Sequence, residues 1–393
     1  MKKTFLFFVI AVILFLNGCS TVSDDYSVPQ NEKINAVWIY YSELSMQDES
    51  GGTAESFGNK FSCMLDLCEK YGINTIFFQV RPFCDAFYKS DIFPWSVYLT
   101  GKQGRGVGYD PLKIAVSAAH SRGITLHAWI NPFRISSSND TSKLSENNPA
   151  LGWIKEKSRN VVNVNGGWYF CPASPEAQRL VTDGVREIVN NYDVDGIHID
   201  DYFYPSTDKS VDSVYYDEYK KNGGELSLKN WRLDTVSAFV SQLYAATKSV
   251  SGKCIFSISP AGNILNNYNE QYADVKLWCS RRGYADWIIP QLYYGFENEK
   301  LPFSLACNVW SALPLSDSVK MIYGIGAYRI NDSDEEWQAG SGIIKKQLDM
   351  CREKDNYSGA AFFSYSSLAD SANAAEFKNL SSPVSAETRS ENG

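Results

Sequence analysis

Two consecutive aspartates, Asp200 and Asp201, close an apolar run of sequence DGIHIDD. Side chains alternate between the two faces of a strand, so His198 and Asp200 share one face, and Asp201 faces the other unless the chain turns there. Buried carboxyl groups are costly unless they are hydrogen-bonded, ion-paired or used in chemistry. A salt bridge to Arg81 or Arg134 with loop capping would explain them structurally. We favour acid–base chemistry, with Asp200 as the nucleophile or base.

A second carboxyl group is harder to assign, because the later apolar runs of the chain end without an Asp or Glu. Asp201 and Asp85 are the candidates for a general acid, and Glu43, after the first apolar run, is a weaker third. A low dielectric and a neighbouring carboxylate would raise the pKa of such an acid. The predicted catalytic residues are therefore Asp200, Asp201 and Asp85.

Other polar side chains follow the same alternation in neighbouring runs. In TLHAWIN, His127 and Asn131 share one face, and in NTIFFQVR, Gln79 and Arg81 do so. A lone buried histidine is more often a hydrogen-bonded core residue than a catalyst. For His127 both interpretations stay open, whereas His198, which is expected to lie deeper, is predicted to be structural. We predict that the following residues converge on one bowl: Arg81, Asp85, His127, Asn131, Asp200, Gln291 and Tyr293.

Such convergence requires secondary-structure elements that bring the ends of these runs together. The chain does alternate short β-rich runs with helical patterns. The strand candidates occupy residues 36–43, 74–81, 125–131, 195–201, 254–260, 286–294, 320–328 and 358–365. The helix candidates occupy residues 57–71, 110–122, 175–192, 228–250, 269–282, 302–312, 341–354 and 371–380. This alternation implies parallel pairing, and eight units imply a single-domain α/β fold, the closed (β/α)8 barrel of TIM type. An open doubly wound sheet also alternates, but the count and the lack of a Gly-rich turn after the first strand favour the barrel.

In such a barrel the chemistry lies where each strand ends and the loop to the next helix begins. Three of these loops are long, at residues 82–109, 132–174 and 202–227. Loops of that length in a compact domain are usually functional. We predict that Arg134 and Tyr202 contact substrate, together with the rings of Trp95 and Trp168. Rings on such loops can equally pack the loops against the barrel.

A bowl of carboxylates, amides, an arginine and aromatic walls suggests a carbohydrate ligand. Glycoside hydrolysis needs two carboxyl groups, one that protonates the leaving oxygen and one that acts as nucleophile or base. The first hypothesis is therefore a glycoside hydrolase that acts on an extended glycan of the bacterial envelope or the environment. The alternatives are a non-catalytic glycan-binding protein on the same fold and, less favoured, a metal-dependent carbohydrate esterase.

Composition excludes several other classes of protein. The 37 basic and 45 acidic residues give a net charge of −8, which makes nucleic acid a poor partner. Hydrophobic residues at 44% and charged residues at 21% are ordinary globular usage, which argues against wholesale disorder and against a multi-span membrane protein. With three histidines, a multi-histidine metal centre is nearly excluded, and we expect neither a metal nor a cofactor.

Residues 1–18 are predicted to be a lipoprotein signal peptide. Lys2 and Lys3 precede an apolar run that is short for a membrane span, and the run ends in LNGC, which resembles a bacterial lipobox. Cys19 would then carry the lipid; an ordinary signal peptide and an uncleaved anchor are the alternatives. We expect a tether at 19–32, the barrel at 33–380 and a disordered tail at 381–393, in a chain exported to the envelope and held on a membrane by its lipid.

Four motifs resemble a known family, and they read FFQVRPFCDAFYKSDIFPWSVYLTGKQGRGVGYDPL, LHAWINPFR, GIHIDDYFYP and IIPQLYYGF. Together they are similar, over about residues 34–368, to the bacterial glycosyl-hydrolase-like family 10 proteins. The resemblance implies a TIM-type barrel and action on glycans. Some members resemble lipoproteins that cut peptidoglycan strands stripped of their peptides, so such strands are a candidate substrate. The usual motif R-P-x-G-D has glycine where this chain has Cys84, and Asp85 stays aligned.

Overall fold

The structure, a computed structural model, describes residues 33–47, 52–378 and 380. The predicted signal peptide, tether and C-terminal tail lie outside the described residues, and so does Cys19. Within the described ranges, no helix has both the length and the apolar character that crossing a membrane requires.

The described residues form twelve strands and twelve α-helices. The strands are β1 (Ile34–Ile39), β2 (Thr75–Arg81), β3 (Thr125–Ile130), β4 (Arg134–Ser136), β5 (Val161–Val164), β6 (Gly167–Phe170), β7 (Gly196–Ile199), β8 (Ile255–Ile258), β9 (Trp287–Ile288), β10 (Gln291–Leu292), β11 (Lys320–Ile325) and β12 (Tyr357–Phe362). The helices are α1 (Ala54–Lys70), α2 (Val97–Thr100), α3 (Pro111–His120), α4 (Pro149–Lys155), α5 (Pro175–Asn191), α6 (Ser213–Lys221), α7 (Leu228–Val250), α8 (Ile264–Asn269), α9 (Val275–Ser280), α10 (Phe303–Ser311), α11 (Ile343–Arg352) and α12 (Tyr365–Ala369).

Nine of these strands close into one parallel barrel. The order runs β1, β2, β3, β7, β8, β9, β11 and β12, and β12 pairs with β1 to complete the ring. β10 continues β9 and pairs with β11, so the two short strands share one of eight positions. The predicted (β/α)8 barrel is therefore confirmed. The pairings are parallel throughout the ring, so all eight positions end on the same face.

Three predicted elements differ from the observed ones. The strand predicted over 286–294 is interrupted at Pro290, which has no N–H to donate to a sheet. The helix predicted over 269–282 is replaced by α8 and α9, because Tyr272 adopts a left-handed conformation (φ 54°) and the Asp274 side chain caps a new helix. The helix predicted over 371–380 is replaced by α12 and a short 3-10 turn that Asp370 caps.

Side-chain alternation orients β3 and β7 as predicted. Ala128, Ile197 and Ile199 belong to the large core between the barrel and its helices. Trp129 belongs instead to a smaller cluster inside the barrel, together with Trp38 of β1. The residues of opposite parity therefore point into the interior of the barrel, and those at the ends of the strands lie near the face where the strands end.

Two neutral histidines fill the barrel beneath that face. Trp38 Nε1 donates to His198 Nε2 at 2.9 Å, and His198 Nδ1 lies 2.8 Å from Ser257 Oγ. Because an indole can only donate, the His198 proton must be on Nδ1. Burial lowers the pKa of His198 well below its usual range and that of His127 to about 3. The His127 ring also requires glycine at Gly196, where a Cβ would lie 2.4 Å from Nδ1.

The long loop after β7 is held by one buried arginine. Arg232 of α7 donates through Nε and Nη2 to the two carboxylate oxygens of Asp212, at 2.7 and 2.6 Å. Its remaining hydrogen bonds go to the Thr207 and Asp208 carbonyls and to the Tyr272 hydroxyl. Both side chains of the ion pair are fully buried. The pair therefore fixes the loop that begins at the predicted catalytic aspartates.

Candidate active site

A pocket of about 470 Å³ opens where the barrel strands end. Its walls consist of Trp38, Tyr40, Tyr41, Gln79, Trp129, Arg134, Asp200, Asp201, Tyr202, Ser259, Gln291, Tyr293, Tyr328 and Phe363. Among these described residues, two side chains are acidic and one is cationic. Aromatic rings make up much of the remaining wall, which suits the apolar faces of sugar rings.

Asp200 follows β7 and is 4% exposed. Trp129 Nε1 donates to its Oδ2 at 3.0 Å, and Asn131 Nδ2 lies 3.2 Å from both carboxylate oxygens. The backbone N–H of Tyr202 lies within hydrogen-bond range of Oδ1. All of these groups are donors, so they stabilise the ionised form of the carboxyl group.

The pKa of Asp200 is nevertheless raised to about 7, chiefly by burial and then by the neighbouring charge of Asp201. The Trp129 indole, the Arg134 guanidinium and the Tyr202 N–H oppose this rise. Burial and donors together leave a carboxyl group that changes charge near neutral pH. This is the range in which a catalytic acid or base is effective.

Asp201 also reaches the pocket, because β7 ends at Ile199 and the chain turns directly after it. Burial raises the pKa of Asp201, and hydrogen bonds from Gln271 and Gln291 lower it. Gln271 Nε2 lies 3.4 Å from Asp201 Oδ2. The turn thus places two consecutive carboxyl groups on one wall, although strand alternation alone would have separated them.

Arg81 and Asp85 are buried and do not line the pocket wall. The register of β2 against β3 shifts between Gln79 and Arg81, so Gln79 lines the pocket whereas Arg81 is buried away from it. Asp85 accepts hydrogen bonds from the Val97 N–H at 3.2 Å and from Gln103 Nε2 at 3.1 Å. These contacts hold the loop after β2 in place.

Glu43, the weaker third candidate for the acid, ties the end of β1 to the chain after β12. Its carboxylate accepts hydrogen bonds from the backbone N–H groups of Tyr40 and Ser366 and from the Ser364 hydroxyl, at 2.7–2.9 Å. It does not line the pocket. Asp201 is therefore the second carboxyl group that the pocket offers. Across the described residues, no three His, Cys, Asp or Glu side chains are grouped so that they could hold a metal ion.

The predicted substrate-binding residues divide into two groups. The structure brings Arg134, Tyr202, Gln291 and Tyr293 to the pocket wall. Asn131 lies directly behind the wall and binds Asp200, whereas His127 lies deeper in the barrel against the ring of Trp287. Trp95 packs within the loop after β2, and Trp168 lies in β6 of a small antiparallel sheet formed by β4, β5 and β6.

Eight wall residues are absent from the predicted set, namely Trp38, Tyr40, Tyr41, Gln79, Trp129, Ser259, Tyr328 and Phe363. Ser259 is 1% exposed, and its hydroxyl has no hydrogen-bond partner among the described residues. Because Ser259 is two residues after Ser257 of β8, the alternation of side chains along that strand could have identified it as an inward-facing residue. Tyr40, Tyr328 and Phe363 lie just past the ends of their strands, where alternation no longer applies and the sequence carries no directional signal.

The chain is similar in sequence to several known proteins. The model of the family described as Glycosyl hydrolase-like 10 matches residues 33–339. Glycosyl hydrolase YngK of Bacillus subtilis (strain 168) is 30% identical over 393 residues, covering 93% of this chain and 74% of that protein. Glycosyl hydrolase DigH of Escherichia coli (strain K12) is 32% identical over 325 residues, covering 76% of this chain and 73% of that protein.

Solved structures with low sequence identity share the fold. The glycoside hydrolase domain of PgaB (BpsB) from Bordetella bronchiseptica superposes with a TM-score of 0.61 at 10% identity, over 90% of this chain and 100% of that one. Alpha-L-fucosidase isoenzyme 2 from Paenibacillus thiaminolyticus superposes with a TM-score of 0.57 at 13% identity, over 89% of this chain and 49% of that one. At these identities the likeness concerns the barrel alone.

Proposed function

Because the chain belongs to the glycosyl hydrolase-like 10 family, we propose that it hydrolyses glycosidic bonds of an extended glycan in the pocket above its barrel. The observation that carries the proposal is the presence of Asp200 and Asp201 together on one wall of an aromatic-lined pocket. Peptide-free peptidoglycan strands are the substrate that we place first, because the sequence motifs resemble those of proteins that act on them.

The surroundings of the two aspartates support different roles for them. Asp200 receives several N–H donors, which stabilise its negative charge, so it acts as the nucleophile or base. Asp201 is the second carboxyl group on the pocket wall, and burial raises its pKa, which favours the protonated form. We assign Asp201 the role of the acid that donates a proton to the leaving glycosidic oxygen.

The direct test is release of reducing ends by the purified full chain. Peptide-free peptidoglycan strands are assayed beside a panel of plant and microbial polysaccharides. We expect release from one substrate class and none from the others. Binding of a glycan with no turnover would overturn the hydrolase assignment and favour the alternative of a non-catalytic glycan-binding protein.

Activity should rise as the pH approaches about 7, because Asp200 must be ionised to act as nucleophile or base and its pKa is raised to about 7. It should fall again at higher pH, where Asp201 loses the proton that it must donate. Trp129→Phe removes a donor to this carboxylate, which raises the pKa of Asp200 further. The rising limb of kcat/KM should then move to higher pH by roughly one unit, the equivalent of one hydrogen bond to a charged group. The pH profiles of the wild type and the variant give the comparison.

Trp38→Phe is the matched control for this shift. It also removes an indole from the pocket wall, but the Trp38 donor goes to His198 and not to Asp200. Its rising limb should keep the wild-type midpoint, whatever happens to the rate. Equal shifts in the two variants, or a profile without a rising limb below about pH 7, would assign Asp200 a different role.

Membrane attachment through Cys19 belongs to the same proposal, and it rests on the sequence pattern around that cysteine. The wild-type chain should be recovered with the membrane fraction and should carry a lipid mass on its N-terminal cysteine. Cys19→Ala should be recovered without that lipid. Lipid-free wild-type protein in a native envelope preparation would contradict the proposal.

A further inference from the structure

Arg134 provides the one positive charge on the described wall of the pocket. Its guanidinium lies between two rings, with Cζ 4.6 Å from the centroid of Phe83 and 5.0 Å from that of Tyr202. Stacking of this kind covers the two flat faces of a guanidinium and leaves its in-plane N–H groups available. Tyr202 is 50% exposed, so the stack stands at the open side of the pocket.

The Arg134 side chain forms no ion pair and no hydrogen bond with the described residues. Six other arginines pair with carboxylates, namely Arg122, Arg159, Arg186, Arg232, Arg329 and Arg352. Among the described arginines without an ion pair, Arg134 is the one that lines the pocket. A guanidinium that is ordered by stacking, and that makes no direct contact with a carboxylate of the protein, is available to bind one from a ligand, because its N–H groups match a carboxylate in two parallel hydrogen bonds.

Asn131 fixes the position of this arginine relative to the proposed catalytic group. The Arg134 backbone N–H donates to Asn131 Oδ1 at 3.0 Å, while Asn131 Nδ2 binds Asp200. One buried amide therefore sets both the start of β4 and the orientation of the Asp200 carboxylate. A group held by Arg134 would belong to the sugar beside the bond that is cleaved.

The charges around the pocket indicate how much negative charge that group carries. One guanidinium stands beside two carboxyl groups, so the wall accommodates a single added negative charge better than a doubly charged phosphate. We propose that Arg134 is a specificity residue that binds a carboxylate carried by a sugar of the substrate, so that the preferred glycan is acidic. This inference rests on the proposed function and adds the substrate feature that the pocket recognises.

The test compares two ligands that differ only in this charge. One is an oligosaccharide of peptide-free peptidoglycan, which carries a carboxylate on every second sugar, and the other is the same oligosaccharide with those carboxyl groups reduced to alcohols. Binding to the full chain is followed by tryptophan fluorescence in an Asp200→Asn background, which prevents turnover. We expect the acidic ligand to bind roughly 10- to 100-fold more tightly, as a charge-assisted bidentate contact allows.

Arg134→Met should remove this preference, so that both ligands bind alike, and Arg134→Lys should keep part of it because the charge remains. Arg159→Met is the matched control: that guanidinium also stacks on a ring, Tyr215, but lies outside the pocket and pairs with Glu218. The preference of the Arg159→Met variant for the acidic ligand should equal that of the Asp200→Asn parent.

Each other outcome overturns the inference in a recognisable way. Equal binding of the two ligands to the parent, with glycan cleavage by the wild type intact, would remove the role of Arg134 and leave the proposed function standing. Equal weakening of both ligands by Arg134→Met would show that the residue acts only through the shape of the site. Failure of both ligands to bind, together with no cleavage of any glycan by the wild type, would overturn the proposed function and this inference with it.

Discussion

Asp200→Asn should reduce kcat on the cleaved glycan by on the order of 10⁴-fold, as loss of a group that reacts with the substrate does. The amide keeps an oxygen for the Trp129 indole and nearly the same volume, but it can neither carry negative charge nor accept a proton. Reducing-end release under saturating substrate measures the effect. A variant with more than about a tenth of wild-type activity would rule out Asp200 as the nucleophile or base, because such a group cannot be dispensable.

Two controls separate chemistry from folding in this experiment. Asp183→Asn makes the same change in a surface residue that pairs with Arg186, so its activity should equal that of the wild type.

Thermal unfolding of Asp200→Asn tests the fold. Because the pKa of Asp200 rises from 3.8 to about 7 on folding, the folded wild type loses stability as the pH rises from about 4 to 7. The variant lacks this loss, so its stability relative to that of the wild type should be greater at pH 8 than at pH 4.

Arg232→Met should destabilise the protein by about 3–5 kcal/mol, the usual cost of leaving one partner of a buried ion pair without the other. The Asp212 carboxylate would remain fully buried, with the Tyr204 hydroxyl as a donor but no positive charge beside it. The Thr207 and Asp208 carbonyls would also lose their donor. Chemical denaturation at neutral pH gives the free energy of unfolding.

A double variant shows whether the orphaned charge causes this loss. Arg232→Met with Asp212→Leu removes both charges and should recover part of the stability, because an apolar pair of similar volume can replace a buried ion pair. Arg186→Met breaks an exposed pair and should change stability by less than about 1 kcal/mol. If Arg232→Met cost no more than that control, the buried pair would not be what fixes the loop after β7.

The barrel and the inward direction of most of its polar side chains follow from local patterns in the sequence. Strand alternation depends on the extended backbone alone, so it correctly turns Asp200, Asn131 and His127 inward. It does not give their depth, and His127, which we predicted in the bowl, lies deeper in the barrel against Trp287. The pattern fails where the backbone departs from a regular strand. The register shift after Gln79 turns Arg81 away from the pocket, and the turn after Ile199 brings Asp201 into it.

The aromatic wall of the pocket could not be predicted in the same way. Tyr40 and Phe363 follow strands that are far apart in sequence, yet their rings stack with centroids 5.9 Å apart because β1 and β12 close the barrel. Closure is a long-range event, and no local pattern records which residues it brings together. Trp95 and Trp168 show the converse: aromatic residues on long loops pack those loops as readily as they line a site.

Because the barrel strands all run in one direction, the structure limits how far from a membrane the pocket of an anchored chain can extend. The pocket lies where the strands end, so Ile34, at the start of β1, lies on the opposite face. A chain anchored through Cys19 would be tethered from the face opposite its pocket, which leaves the pocket free to open away from the lipid. The segment between Cys19 and Ile34 can extend to at most about 50 Å. Under the proposed function and anchoring, the pocket would act in a layer a few nanometres above the membrane, and polymer beyond that height would escape it.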